Sequence, residues 1–317
     1  MQCSFSELEY ESKKRKTRQE LFLDEMEHVM PWSALVSVIK PHYPKRGKVG
    51  RQAKDLQSML RIHCMQHWFS YSDRQMEDAL YEVESIRRFA GFARVTDALP
   101  DESTILKFRH LLERHGLTAK ILTTTNEHLE QCGIQVSKGS MVDATIIHAP
   151  SSTKNSSGKR DPEMHQTRKG NQWYFGMKVH VGADVNSGAV HSVTVTPANR
   201  ADIDELPKLL RAEDEVVFAD AGYTSDSYKR GARHLGIRWC VQDKRKKKQN
   251  LSSTQRKRNR KQSSVRSRVE HIFRVIKRQF GFDKTRYRGL AKNASQVNML
   301  MALANVYMLR RRIATAG

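Results

Sequence analysis

Apolar and aromatic residues recur at helical spacing through the first third of the chain. In "DLQSMLRIHCMQHWFSY" they fall at Leu56, Met59, Leu60, His63, Met65 and Trp68, close to the 3.6-residue period of a buried helix face. Ser72 and Gln75 then form a capping-box pattern ahead of "MEDALYEV", a helix-start signal. "LPDESTILKFRHLLERHG" opens on a Pro-Asp pair and closes on Gly116, the residue type favoured just past a helix end. Residues 1–135 therefore read as short helices joined by short turns. Two readings of this region stand side by side. One is an ordinary helical bundle; the other is a helix-turn-helix reader of DNA with Arg87, Arg88, Lys107 and Arg109 on its faces.

The period changes near Lys138. "GSMVDATIIHA" is a nearly continuous apolar run with β-branched residues, as in a strand covered on both faces. A polar loop, "PSSTKNSSGKRDPEMHQTRKGNQ", precedes two strand patterns, "WYFGMKVHVGADV" and "AVHSVTVTPA". These meet at Asn186-Ser187-Gly188, a hairpin signal. "DIDELPKLLRA" predicts a short helix with Asp202 as N-cap, "EVVFADAGY" a buried strand, "SDSYKRGARHLG" a helix and "IRWCVQ" a strand. The run 244–262 reads as a basic loop. A last helix over 294–312 carries Leu, Met, Val and Tyr on one side. Hairpin-joined strands followed by helical crossovers predict a mixed α/β sheet with flanking helices over 136–317, preceded by an all-helical domain over 1–135.

Charge adds a partner to this picture. The 317 residues carry a net charge of +22, more than solubility needs, which predicts a polyanion and foremost nucleic acid. No run approaches the roughly 18 apolar residues of a membrane span, and "MQCSFSELEYESKKRKTR" lacks the apolar core of a signal peptide. Retention in the compartment of synthesis is expected. Cys3, Cys64, Cys132 and Cys240 are scattered, with no CxxC, and read as reduced structural thiols.

Three carboxylates break their surroundings. Asp143 interrupts an apolar strand, and Asp220 ends another beside Gly222. Buried acids are costly unless paired or bound to a metal, and strand ends are where open α/β sheets form sites. Glu270 is the sole acid among fifteen Lys and Arg between Lys244 and Phe282. On a helix, Val265, Val269, Ile272, Phe273, Ile276 and Phe280 make an apolar stripe. Glu270 lies on its flank, with Arg266, Arg274 and Lys277 on the same ridge. A surface Glu270–Arg274 pair contributes only about 0.2–0.5 kcal/mol and leaves the imbalance unexplained. Three acids from two strands and a helix could instead hold two Mg²⁺ ions about 3.5–4 Å apart for phosphodiester chemistry, with the cations gripping the DNA backbone.

Asp143 in "VDATII", Asp220 in "ADAGY" and "RSRVEHIFRVIK" together resemble the DDE transposases of bacterial insertion sequences, closest to the group of insertion sequence five. "LRIHCMQHW", "MEDALYE", "TILKFRHLLE" and "DPEMHQTRKGNQWYFGMKVH" extend the resemblance over nearly the whole chain. It implies a ribonuclease-H-like catalytic fold, with Asp143, Asp220 and Glu270 as the catalytic and metal-binding triad. Two Mg²⁺ ions, with Mn²⁺ able to substitute, are implied as cofactors. Arg266 and Lys277 fit the family pattern around the glutamate, where Ser263 replaces an expected Tyr and would instead cap the helix. DNA contacts are implied for Arg266, Arg274, Lys277, Tyr223 and Lys178. A place near the site is expected for His165, Trp173 and His180.

The implied reaction is hydrolysis at the ends of a mobile element, recognised through terminal inverted repeats. The freed 3′-OH groups then attack target DNA. Joining two ends implies at least a homodimer on DNA, acting in the bacterial cytoplasm at the nucleoid. Two alternatives are a two-metal nuclease without strand transfer and a non-catalytic DNA-binding relative.

Overall fold

The computed structural model describes residues 14–45, 52–92, 97–134, 136–156, 158–245 and 250–315. Cys3, most of the N-terminal segment and Lys246–Lys248 of the basic run lie outside them.

The first third is helical: α1 (Arg18–Val29), α2 (Trp32–Ile39), α3 (Leu56–Trp68), α4 (Asp73–Glu82), α5 (Glu84–Phe89), α6 (Glu102–Arg114) and α7 (Leu117–Gln131). Capping chemistry sets several starts. Ser72 and Gln75 form the reciprocal capping box of α4, and the Asp101 carboxylate accepts from the Thr104 amide at 2.7 Å at the head of α6. Gly116 sits in the left-handed region between α6 and α7 at φ +59°, a conformation that costs glycine little.

The sheet contains β1 (Gly139–His148), β2 (His165–Lys169), β3 (Gln172–Asp184), β4 (Val190–Pro197), β5 (Val216–Ala219) and β6 (Arg238–Val241). β1 pairs antiparallel with β3, β3 pairs antiparallel with β4, and β5 and β6 follow parallel on the other side of β1. The resulting order β4-β3-β1-β5-β6 is the mixed, ribonuclease-H-like arrangement. β2, in a segment that the sequence predicts to be a polar loop, is a short exposed strand paired with the start of β3. It buries neither face, so it has no hydrophobic alternation to betray it.

Between β4 and β5 the chain makes a tight 3-10 turn (Asp202–Glu205) and the four-residue helix α8 (Leu206–Leu209). Asp202 is not the N-cap; it is the first residue of the turn. A Cβ at Gly182 would lie 2.1 Å from the Leu209 carbonyl oxygen, so only glycine lets this segment close onto β3. A second 3-10 turn, Ala221–Tyr223, follows β5, and α9 (Asp226–His234) leads to β6.

The basic run differs most from expectation. Much of 244–262 is not loop: α10 spans Ser253–Arg274 as one 22-residue helix, opened by a Ser252/Gln255 capping box. Its first turns bury almost nothing, so no apolar stripe announces them. Asn259 nevertheless bonds both ways with the Asp243 backbone at 3.0 and 3.1 Å and fastens them to the end of β6. Ser263 is therefore interior to the helix, where its hydroxyl accepts from the Gln242 amide rather than capping a terminus.

The helix continues into a π turn, Val275–Gln279, and after a bend the chain forms α11 (Leu290–Ala314). α11 is buried over most of its surface rather than on one side, because it runs between the N-terminal helices and the sheet. The buried Asn305 closes that contact: its side chain accepts from the Val190 amide and donates to the Val190 carbonyl, both at 2.8 Å. One continuous apolar core joins α1–α7, α11, the buried stripe of α10 and one sheet face. A smaller cluster, including Val142, Leu206, Val217 and Tyr223, fills the other face.

Candidate active site

β5 stays beside β1 only from Gly139 to Met141 and stops at Ala219. From Asp143 onward β1 therefore has one open edge, and Asp220 stands just beyond the end of its parallel neighbour. α10 crosses this edge, packed through Val269 and Ile272. A cleft of about 470 Å³ opens there, lined by Asp143, Asp220 and Glu270 with Arg266, Lys178 and Asp202. The three acids thus come together from two strand positions and one helix.

Their environments differ. The Asp143 side chain is 13% exposed; it accepts from the Ala144 amide at 2.8 Å and from the Arg266 guanidinium at 2.5 Å. Burial pushes its pKa up to about 6; Arg266 and the Ala144 amide oppose the rise, while Asp220 and Glu270 add to it. Asp220 caps the turn after β5, accepting from the Gly222 amide at 2.8 Å. A Cβ on Gly222 would lie 2.9 Å from that carboxylate. Glu270 is 63% exposed, with one oxygen 3.8 Å from Arg266. Its helical neighbour Arg266, not Arg274, is the cation beside it.

Of the cations expected at DNA, Arg274 is exposed on α10. Lys277 lies in the π turn, which alters the helical projection, and donates to the Ile146 carbonyl of β1 at 2.8 Å. Burial lowers its pKa, and nearby Lys169 lowers it further. Lys178 reaches the cleft from β3. Its ammonium lies 2.8 Å from an Asp202 oxygen and donates to the Arg200 carbonyl at 2.8 Å.

Tyr223 is placed differently from expectation. It is 1% exposed, its ring packed in the smaller core, so a phosphate does not reach it. His180 is buried, its ring 2.8 Å from the Thr196 hydroxyl, and burial pushes its pKa down to about 4. Trp173 and His165 are exposed on the β2–β3 hairpin, whose Thr167, Arg168 and Lys169 line the cleft. The sequence places this hairpin near the site through His165 and Trp173 but does not single out Thr167, Arg168, Lys169 or Asp202 as its lining. Asp202 had looked like a helix cap, and the hairpin like a loop.

The donor set is all hard oxygen, the type that divalent magnesium or manganese takes. Among the described residues no three acidic, His or Cys side chains already stand as a formed cation site. Arg266 holds one oxygen of Asp143 and would compete with a cation for it. The residues fit such an ion in kind, with the arginine as the competing group.

The sheet is ribonuclease-H-like, and an aspartate on its first strand, another just past the strand beside it and a glutamate on the crossing helix line one cleft. A family model described as "Transposase DDE domain" matches residues 135–306, and one described as "Transposase domain (DUF772)" matches residues 10–111. The chain belongs to the DDE transposase family: it is a DNA transposase, a DNA-cleaving and DNA-joining enzyme of a type that uses divalent metal. Among solved structures, it is similar to a piggyBac transposase seen by cryo-electron microscopy in a synaptic complex with hairpin DNA. That likeness has 8% identity and a TM-score of 0.46, covering 96% of this chain and 78% of that one. No described helix is long and apolar enough to cross a membrane.

Proposed function

We propose that the chain is a transposase of the insertion-sequence-five group that binds terminal inverted repeats, cuts the element ends and joins their 3′-OH groups to target DNA. The observation that carries this reading is the convergence of Asp143, Asp220 and Glu270 on one cleft rimmed by Arg266, Lys178 and the β2–β3 hairpin. Those three carboxylates would hold two Mg²⁺ ions, with Mn²⁺ able to substitute. When bound, the ions supply activation of the attacking oxygen and stabilisation of the leaving one.

The chain's own residues do the rest. Arg266, released from Asp143, swings to a phosphate oxygen. Lys277 and Arg274 hold the backbone along α10, and Lys178 meets the phosphate from the opposite side of the cleft. Attack is direct, so no side chain forms a covalent bond to DNA. Residues 1–135 form the end-recognition domain and 136–317 the catalytic domain, although they share a core. At least a dimer assembles on DNA to hold two ends, in the bacterial cytoplasm at the nucleoid.

The test is incubation of the protein with labelled element ends and Mg²⁺, with products read on a denaturing gel and a pre-cleaved end offered to plasmid DNA. Cutting followed by joining supports the proposal. Cutting without joining supports a nuclease, and binding without cutting supports a non-catalytic relative.

A further inference from the structure

Several buried polar atoms in or beside the cleft lack hydrogen bonds, Arg266 Nε and His180 Nδ1 among them, and two others complement each other as donor and acceptor. The Tyr223 hydroxyl is a donor with no partner, on a side chain 1% exposed. Asp202 Oδ1 is an acceptor without a geometrically sound hydrogen bond, touched by the Lys178 ammonium at 2.8 Å and by His180 Nδ1 at 3.8 Å. The turns that carry them, Asp202–Glu205 and Ala221–Tyr223, pack against each other. Burial holds the Tyr223 hydroxyl in its protonated, donating form, and the nearby carboxylates of Asp202, Asp143 and Asp220 reinforce this. An unpaired buried hydroxyl costs about 1–3 kcal/mol, so its retention in the core beside these acids asks for a state in which it is used.

The Lys178 ammonium has three donors. The Arg200 carbonyl takes one and Asp202 faces another, on a side chain only 14% exposed. The third is left for the cleft that Lys178 lines. A phosphate entering there would draw the ammonium toward itself and leave Asp202 Oδ1 facing the tyrosine.

We infer that Asp202 and Tyr223 are positioning residues for Lys178: Asp202 holds the ammonium at the mouth of the cleft, and Tyr223 donates its hydroxyl hydrogen to Asp202 when DNA phosphate takes the lysine. This rests on the reading of the cleft as the site that holds DNA. It also gives Tyr223 a part in DNA binding that burial denies it by direct contact.

The test measures binding of labelled element-end duplex by the full-length protein as a function of salt, for Lys178→Ala, Asp202→Asn, Tyr223→Phe and the Lys178→Ala/Asp202→Asn pair. Losing one phosphate contact lowers the slope of log K against log salt by about 0.9. Lys178→Ala and Asp202→Asn should each show this drop, with binding weaker by roughly ten- to a hundredfold, and the double variant should be no worse than Lys178→Ala alone. Tyr223→Phe should weaken DNA binding several-fold yet leave the DNA-free unfolding midpoint unchanged or higher, because the orphan hydroxyl is gone. Additive losses, or a wild-type slope in Asp202→Asn, overturn the role of Asp202. Wild-type DNA affinity in Tyr223→Phe, or a loss matched by a lower DNA-free midpoint, overturns that of Tyr223. If the unsubstituted protein neither binds nor cuts the ends, the reading of the cleft itself fails, a result distinct from these.

Discussion

Asp143 sits under two opposed influences, and pH separates them. Its carboxyl is buried, which favours the protonated form, yet a guanidinium lies 2.5 Å away, which favours the charged one. Burial prevails, with the pKa moving from 3.8 to about 6. A shift of roughly two units corresponds to about 3 kcal/mol, and the side chain, 13% exposed, is dry enough for solvent not to erase it. The folded state therefore binds the proton more tightly than the unfolded chain. The associated stability is fully present below about pH 4 and is lost as pH rises through about 6. Between pH 4.5 and 7.5 the loss is about 2 kcal/mol. Asp143→Asn cannot ionise, so it should escape this loss. Urea unfolding in EDTA, at both pH values and for both proteins, gives the variant's stability relative to the parent. That difference should shift in favour of Asn by about 2 kcal/mol on going to pH 7.5. Arg266 faces a neutral partner in the variant at either pH and in the parent at low pH, so the comparison isolates the ionisation of Asp143. An equal difference at both pH values, or a shift against Asn, would show that Arg266 compensates the burial and would refute the reasoning.

Removing Arg266 should act on DNA and metal in opposite directions. Arg266→Ala should tighten Mn²⁺ binding in calorimetry, by removing the competing cation, and weaken end binding in a mobility-shift assay by about tenfold or more. Asp220→Asn and Glu270→Gln should each reduce Mg²⁺-dependent cleavage by more than the roughly 10–100-fold that loss of an outer-shell metal partner costs, while end binding persists; full cleavage by Glu270→Gln would remove it from the site. Lys277→Ala should lower the salt slope of end binding by about 0.9, and an unchanged slope would leave its ammonium to β1 alone. Asn305→Ala strands the buried amide of Val190, whose carbonyl keeps its bond from Asn126, and should cost about 1–3 kcal/mol in urea unfolding with little effect on the chemistry.

The sequence by itself determined what depends on near neighbours. Helix starts came from capping pairs such as Ser72 and Gln75, and the buried strands around Asp143 and Asp220 from apolar runs. The side of α10 that faces the core came from the spacing of Val265 to Phe280. The three acids stood out for the same reason: a carboxylate in an apolar strand, or alone among cations, is anomalous where it stands. Elements with no buried face left no such trace. β2 and the first turns of α10 are held by pairing with β3 and with Asp243, partners that local pattern cannot name. Tertiary structure alone decided which cation meets which acid. Arg274 and Arg266 are equally spaced from Glu270 along the helix, yet the early end of β5 and the crossing of α10 give Asp143 to Arg266. Closure of the turn after β4 onto Gly182 likewise brings Asp202 to Lys178. It also placed Tyr223 in the core rather than on the DNA surface, because a turn one residue past Asp220 can aim its side chain at either, and packing against Leu206 and Val217 chose the interior.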